Sequence, residues 1–103
     1  MADIIRGTEI KFNLSIEPIG EISMSMYDFY VIAYAKGTQQ RIIIDKSDCT
    51  EIDSDNYTLP VDTTSLGLGQ LILDVYANVP DEDFSDGSRT EISRTETNIT
   101  IIQ

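Results

Sequence analysis

The stretch from Asn56 to Pro80, NYTLPVDTTSLGLGQLILDVYANVP, decides the fold class. Tyr57, Leu59 and Val61 alternate with Thr58, Pro60 and Asp62. Ser65-Leu66-Gly67-Leu68-Gly69 is a glycine-marked corner. Beyond it, Leu71, Leu73, Val75, Ala77 and Val79 alternate with Gln70, Ile72, Asp74, Tyr76 and Asn78. Period two in both arms gives each strand two distinct faces, one of them apolar. The pattern predicts a hairpin, and the hairpin predicts the central pair of a small β-sandwich.

The composition agrees. The chain has 103 residues, the size of one domain, so residues 1–103 are read as a single unit. Sixteen Ile and ten Thr dominate it. β-Branched side chains lose χ1 freedom in a helix and pack well on a pleated sheet. Eighteen acidic residues against seven basic leave a formal net charge of −11. Phosphate contacts need clustered Lys and Arg, so the charge argues against a nucleic-acid surface and equally against binding to an anionic membrane. Cys49 is the one cysteine, so no intrachain disulfide forms. Asp48 and Glu51 near it disfavour the thiolate, which argues for a small, half-buried residue. No segment is long and apolar enough to span a bilayer, and MADIIRGTEIKF lacks the pattern of a signal peptide.

Outward from the opening stretch, other strands follow. MADII reads as a lead-in. Thr8 to Ile16 is the first long strand, with Ile10, Phe12, Leu14 and Ile16 on one face, and Pro18 and Gly20 end it. Glu21 to Tyr27 reads as a short edge strand or an extended connection carrying Ile22, Met24 and Met26. Asp28 to Lys36 has bulk on both faces, which makes it a central strand or one that meets a partner. Lys36-Gly37-Thr38-Gln39 is a turn with Gly37 at positive φ. Arg41 to Lys46 is a short return strand. Ser47 to Asp55 is an acidic loop or edge strand anchored by Ile52. Asp81 to Ser88 is a long loop around Phe84. In the last strand, Arg89 to Ile102, Ile92 and the later Ile99 and Ile101 have opposite parity. A bulge or a change of neighbour must intervene, and Ser93 to Asn98 should be exposed. About seven strands at this spacing predict an all-β, immunoglobulin-like antiparallel β-sandwich, without the Cys pair or Trp of antibody domains.

Few residues carry chemistry. No His is present to serve as a base in a hydrolytic triad. Asp81, Asp83 and Asp86 invite a calcium reading, because hard cations take several oxygen ligands from one loop. An EF-hand loop starting at Asp81 would need Gly at Asp86 and Glu at Ile92, so that motif fails. Asp53-Ser54-Asp55 is a weaker candidate of the same kind. Gly67-Leu68-Gly69 lacks the Lys of a phosphate loop. The tyrosines are more suggestive: Tyr30, Ile32 and Tyr34 share a strand face that a small sandwich cannot bury, and Tyr is enriched in protein contacts.

Several stretches resemble small proteins of tailed phages of gut Bacteroidota, the crAss-like phages and related prophages. They are Gly7-Thr8-Glu9-Ile10-Lys11-Phe12, Asp28-Phe29, Asn56-Tyr57, Val61-Asp62-Thr63 and Gly67-Leu68-Gly69-Gln70-Leu71. Pro80-Asp81-Glu82-Asp83-Phe84, Asp86-Gly87 and Arg89-Thr90-Glu91 continue the likeness over nearly the whole chain. The resemblance implies an immunoglobulin-like virion component of the auxiliary capsid type, with no enzymatic activity and no cofactor. Its partners would be the major capsid protein or other virion proteins, in many copies per particle. It would be made in the cytoplasm of the host bacterium. The alternatives are a tail or baseplate adaptor, and a calcium-dependent carbohydrate-binding module using the acidic loop.

Overall fold

The computed structural model describes residues 2–16 and 24–103. Eight strands lie among them: β1 (Ala2–Ile5), β2 (Glu9–Leu14), β3 (Asp28–Ala35), β4 (Arg41–Asp45), β5 (Thr50–Asp53), β6 (Asn56–Asp62), β7 (Gly69–Pro80) and β8 (Ser88–Ile102). Met24–Met26 and Lys46–Asp48 are single 3-10 turns. The all-β class follows from the β-branched content. Five strands make a mixed sheet in the order β1-β8-β7-β3-β4, and three make a second sheet in the order β2-β6-β5.

The hairpin expected over Asn56–Pro80 is not formed. β6 pairs with β2 and β5, whereas β7 pairs with β3 and β8, in the other sheet. The alternation itself holds. Tyr57, Leu59 and Val61 are buried from one sheet, and Leu71, Leu73, Val75, Ala77 and Val79 from the other. Period two identifies the buried face of a strand but not the strand beside it. The link 63–68 therefore crosses between sheets. Leu66 is buried in the core on the way. Thr63 is wholly buried; its hydroxyl accepts from Gly7 N–H (3.0 Å) and donates to the Thr8 carbonyl (2.8 Å). A Cβ at Gly67 would stand 2.6 Å from the Thr38 side chain, so the crossing passes hard against the β3–β4 turn. In that turn Gly37 has φ 82°, as the sequence predicts.

Other boundaries differ from expectation. The lead-in forms strand β1 over Ala2–Ile5, which runs parallel to Ile99–Ile102 of β8, so the pairing is not antiparallel throughout. Met24–Met26 is a turn with Met24 buried and Met26 exposed. The expected break at Pro18 and Gly20, and Ile22 with its neighbours, lie outside the described residues. Ile52 is exposed and anchors nothing, while Cys49 packs against the core. Strand β3 is interior to its sheet, between β7 and β4.

The parity break in β8 is a bulge. Between the pairs Gln70–Thr100 and Ile72–Glu96, β7 advances two residues and β8 four. Thr97 fills the bulge: its hydroxyl donates to the Leu71 carbonyl (2.7 Å) and accepts from Ile99 N–H (3.2 Å). Past it, Ile101 turns into the core. The inner faces of both sheets share this core, with Val31, Ala33, Leu71 and Leu73 from one and Leu59 and Val61 from the other. Three strands cannot cover five. Accordingly β8 places Arg89, Glu91, Ser93 and Thr95 opposite Val79, Ala77, Val75 and Leu73, where polar groups remain in reach of water.

Candidate interaction surface

The side of the five-stranded sheet that faces away from the core is built by register. Tyr30 stands beside Tyr76, and Tyr76 beside Ile92. Ile32 lies between Ile43 and Asp74, and Tyr34 between Arg41 and Ile72. The inner neighbours on β3, Phe29, Val31, Ala33 and Ala35, are buried. Alternation thus leaves the tyrosines outward.

One end of this face is closed over by charge. The Tyr34 hydroxyl donates to Asp74 Oδ2 (3.1 Å). Arg94 donates through Nε to Oδ1 (2.8 Å) and through Nη2 to Oδ2 (3.1 Å) of the same carboxylate. The Arg41 guanidinium lies 3.8 Å from the centre of the Tyr34 ring. The arginine stems cover what a sheet face would otherwise expose. Tyr34 and Asp74 are each only 7% exposed. The Arg94 hydrogen bonds hold the Asp74 carboxyl below the usual carboxylate range; burial opposes them and the Tyr34 hydroxyl assists. Burial first, then the adjacent carboxylate, pushes the Tyr34 hydroxyl up.

The three expected contact residues therefore part company. Tyr30 is 38% exposed, Ile32 is half-buried, and Tyr34 is withdrawn beneath Arg41. The structure adds three residues that sequence reading did not join to them. Tyr76 stacks on Tyr30, with ring centres 4.9 Å apart and planes 3° from parallel. Ile92 and Ile43 are 62% and 63% exposed. Parity alone could place Tyr76 and Ile92 on outward faces, but only the register puts them next to Tyr30. Beside the stacked rings a hollow of about 290 Å³ is lined by Asp28, Tyr30, Tyr76, Asn78, Asp86 and Thr90.

The acidic loop is organised by its own turns. Asp81 Oδ1 accepts from Asp83 N–H (3.0 Å), and Oδ2 takes Arg89 at 2.5 Å. These two partners, the backbone bond first, draw the Asp81 carboxyl down. Asp86 Oδ1 accepts from Ser88 N–H (3.3 Å). Asp53 likewise accepts from Asp55 N–H and the Asn56 amide. Among the described residues, no three His, Cys, Asp or Glu side chains converge as a metal site. Burial, then Asp48, pushes the Cys49 thiol up, away from the thiolate a nucleophile requires.

The remaining tyrosines belong to the core. Tyr57 meets Phe29 edge-on at 5.3 Å and donates to Glu51 (3.0 Å). Among the described residues the buried Tyr27 hydroxyl has no hydrogen-bond partner, and burial, with help from Glu91 and Asp55, pushes it up to about 12. What the outer face offers is contact area: stacked aromatic rings on the interior strands β3 and β7, flanked by exposed Ile92 on β8 and Ile43 on β4. Comparison with family models, with curated proteins and with solved structures found no match to this chain.

Proposed function

We propose that the chain is an immunoglobulin-like binding module that serves as an accessory protein of a phage virion, docked on the capsid shell. It acts by adhesion, without catalysis or a cofactor. The fold reading is supported by the strand order. In immunoglobulin variable-type domains one sheet holds strands G, F and C with C′ beside C, and the other holds B, E and D. Naming β2 to β8 as B, C, C′, D, E, F and G reproduces both orders. β1 then stands for a first strand placed at the edge beside G.

The observation that carries the binding role is the Tyr30–Tyr76 stack, on the interior strands β3 and β7, with the exposed Ile92 beside it on β8. Tyr supplies large, rigid, amphipathic contact area at low entropic cost. The viral setting rests on the residue resemblance given above, and the acidic surface suits a shell protein that must avoid packaged DNA.

Purified phage particles provide the test. The chain should be found among their proteins by mass spectrometry. Recombinant chain should cosediment with assembled capsids and ignore free duplex DNA, and Tyr30→Ala with Ile92→Ala should release it. Absence from the particles overturns the reading. Labelling confined to the tail in electron micrographs replaces it with the tail-adaptor reading.

A further inference from the structure

Among the described residues, strand β4 is the last strand of its sheet, with β3 on one side and no strand on the other. Such edges are usually blunted by charge, proline, a bulge or a covering segment, because their free backbone groups invite another strand. Here the central residue, Ile43, is exposed, and among the described residues Ile42, Ile43 and Ile44 make no backbone hydrogen bond outside the sheet. A groove of about 510 Å³ runs along the strand, lined by its three isoleucines with Ile10, Pro60 and Val61, and also by the charged Glu9, Lys11, Asp48 and Asp62.

The strand reads Arg41-Ile42-Ile43-Ile44-Asp45, and that order is complementary to itself. Antiparallel pairing with a second copy, centred on Ile43, sets Arg41 opposite Asp45 twice and Ile42 opposite Ile44 twice. Directly opposed residues of an antiparallel pair share a face, and opposite charges there are favourable. Arg41, Ile43 and Asp45 lie on the outer face, so both ion pairs form there. Ile42 and Ile44 lie on the inner face, beside the groove. A shift of two residues in either direction sets a charged residue opposite Ile43 and loses both ion pairs. Pairing turns Arg41 from the face of the Tyr34 ring toward the edge, and the Asp45 carboxylate, which caps the Lys46–Asp48 turn, keeps acceptor capacity for it. Asp45 makes no ion pair among the described residues. Arg41 gives one N–H to the Thr38 carbonyl (3.0 Å) and keeps others of its five.

We propose that β4 is a dimerisation edge. Two copies of this chain join about a two-fold axis through Ile43, making one continuous sheet from two five-stranded ones. Half-buried Ile42 of each copy then packs against the other strand on the inner face, opposite Ile44, which stays in its own core. The net charge of −11 on each chain opposes association. That charge is spread over the whole surface and is screened beyond about 8 Å at physiological salt, whereas the Arg41–Asp45 pairs are in contact. The inference does not depend on the viral setting, and its test reads oligomeric state alone.

Sedimentation velocity on the full chain, from about 1 μM to about 1 mM, follows association by mass action. The mass should rise to twice that of the chain. Ile43→Lys should stay monomeric throughout. Asp45→Arg sets Arg opposite Arg and should weaken the dimer at least about tenfold, which corresponds to about 1.4 kcal/mol. Arg41→Asp combined with Asp45→Arg restores complementarity and should restore the dimer. Circular dichroism checks that each variant folds. If the double variant does not fold, Ile43→Lys, which alters one exposed side chain, decides alone. A chain monomeric at every concentration overturns the proposal. So does a dimer indifferent to Ile43→Lys, or one dissociated by Ile92→Lys in its place.

Discussion

Asp74 shows how far a residue's environment can depart from its place in a pattern. Alternation along β7 puts it on the polar side, opposite the core, and the structure keeps it there. It is nevertheless buried, because Arg94, Tyr34 and Arg41 close over it from the neighbouring strands. The consequence is a pH dependence with a definite sign. The folded carboxyl titrates below its unfolded value, so the unfolded chain binds more protons in acid. The stability it contributes is complete above about pH 4, the ordinary carboxylate value, and is lost as pH falls through the folded value. Asp74→Asn should lower stability at neutral pH and flatten the decline in acid below about pH 4. Urea midpoints across that range measure both. Asp53, Asp62 and Asp81 are also drawn down by hydrogen bonds, so part of the decline remains in the variant. Equal declines in the two proteins would remove Asp74 from the account. Asp74→Ala should cost more, about 1–3 kcal/mol, because the buried Tyr34 hydroxyl then loses its acceptor.

At the scale of elements, the legible and illegible parts of the fold separate along one physical line. Faces are local and could be read. The apolar sides of β6, β7 and β3 match the alternation, and the opposed parity of Ile92 and Ile101 announced the bulge in β8. Neighbours are not local. β1 pairs with the far end of the chain, so MADII carries no signal of its own. β6 and β7 look like a hairpin because nothing in residues 63–68 states that the chain changes sheets there. The candidate surface was legible to the same degree. Tyr30 lies on the outward face as parity requires, but the burial of Tyr34 and the recruitment of Tyr76 depend on cross-strand register. Thr97 is where both kinds of information meet. Its hydroxyl satisfies the Leu71 carbonyl and the Ile99 amide that the bulge removes from the regular ladder. Thr97→Val keeps the shape and removes the hydroxyl, leaving both groups without that partner, and should cost about 1–3 kcal/mol. Thr97→Ser should stay close to the parent. Denaturant curves should show a lower midpoint for the valine variant at an unchanged slope, since the exposed area is the same. A valine variant as stable as the parent would mean that the bulge is held by β1 and the core, not by Thr97.

The whole molecule is long for its mass, 47 × 27 × 22 Å. A strand of β8's length, at roughly 3.3 Å per residue, by itself accounts for the long axis. An elongated shape exposes much surface, and this surface carries a formal charge of −11. Two electrostatic effects compete. The Arg89–Asp81 and Arg94–Asp74 pairs attract at 2.5 and 2.8 Å. The excess carboxylates repel one another over longer distances. Salt distinguishes them, because contacts this short are screened little, whereas interactions beyond the Debye length are largely removed. That length falls from about 30 Å at 0.01 M to about 8 Å at 0.15 M. The long-range repulsion is therefore the effect that changes, and salt should stabilise the fold. The dimer interferes with this measurement, so it belongs on Ile43→Lys or at concentrations below association. A relief of 1 kcal/mol would raise the melting temperature of a domain this size by about 4–8 °C. Melting followed by circular dichroism at the two salt concentrations tests the balance. A melting temperature that falls with salt would place the contact pairs, not the net charge, in control of stability.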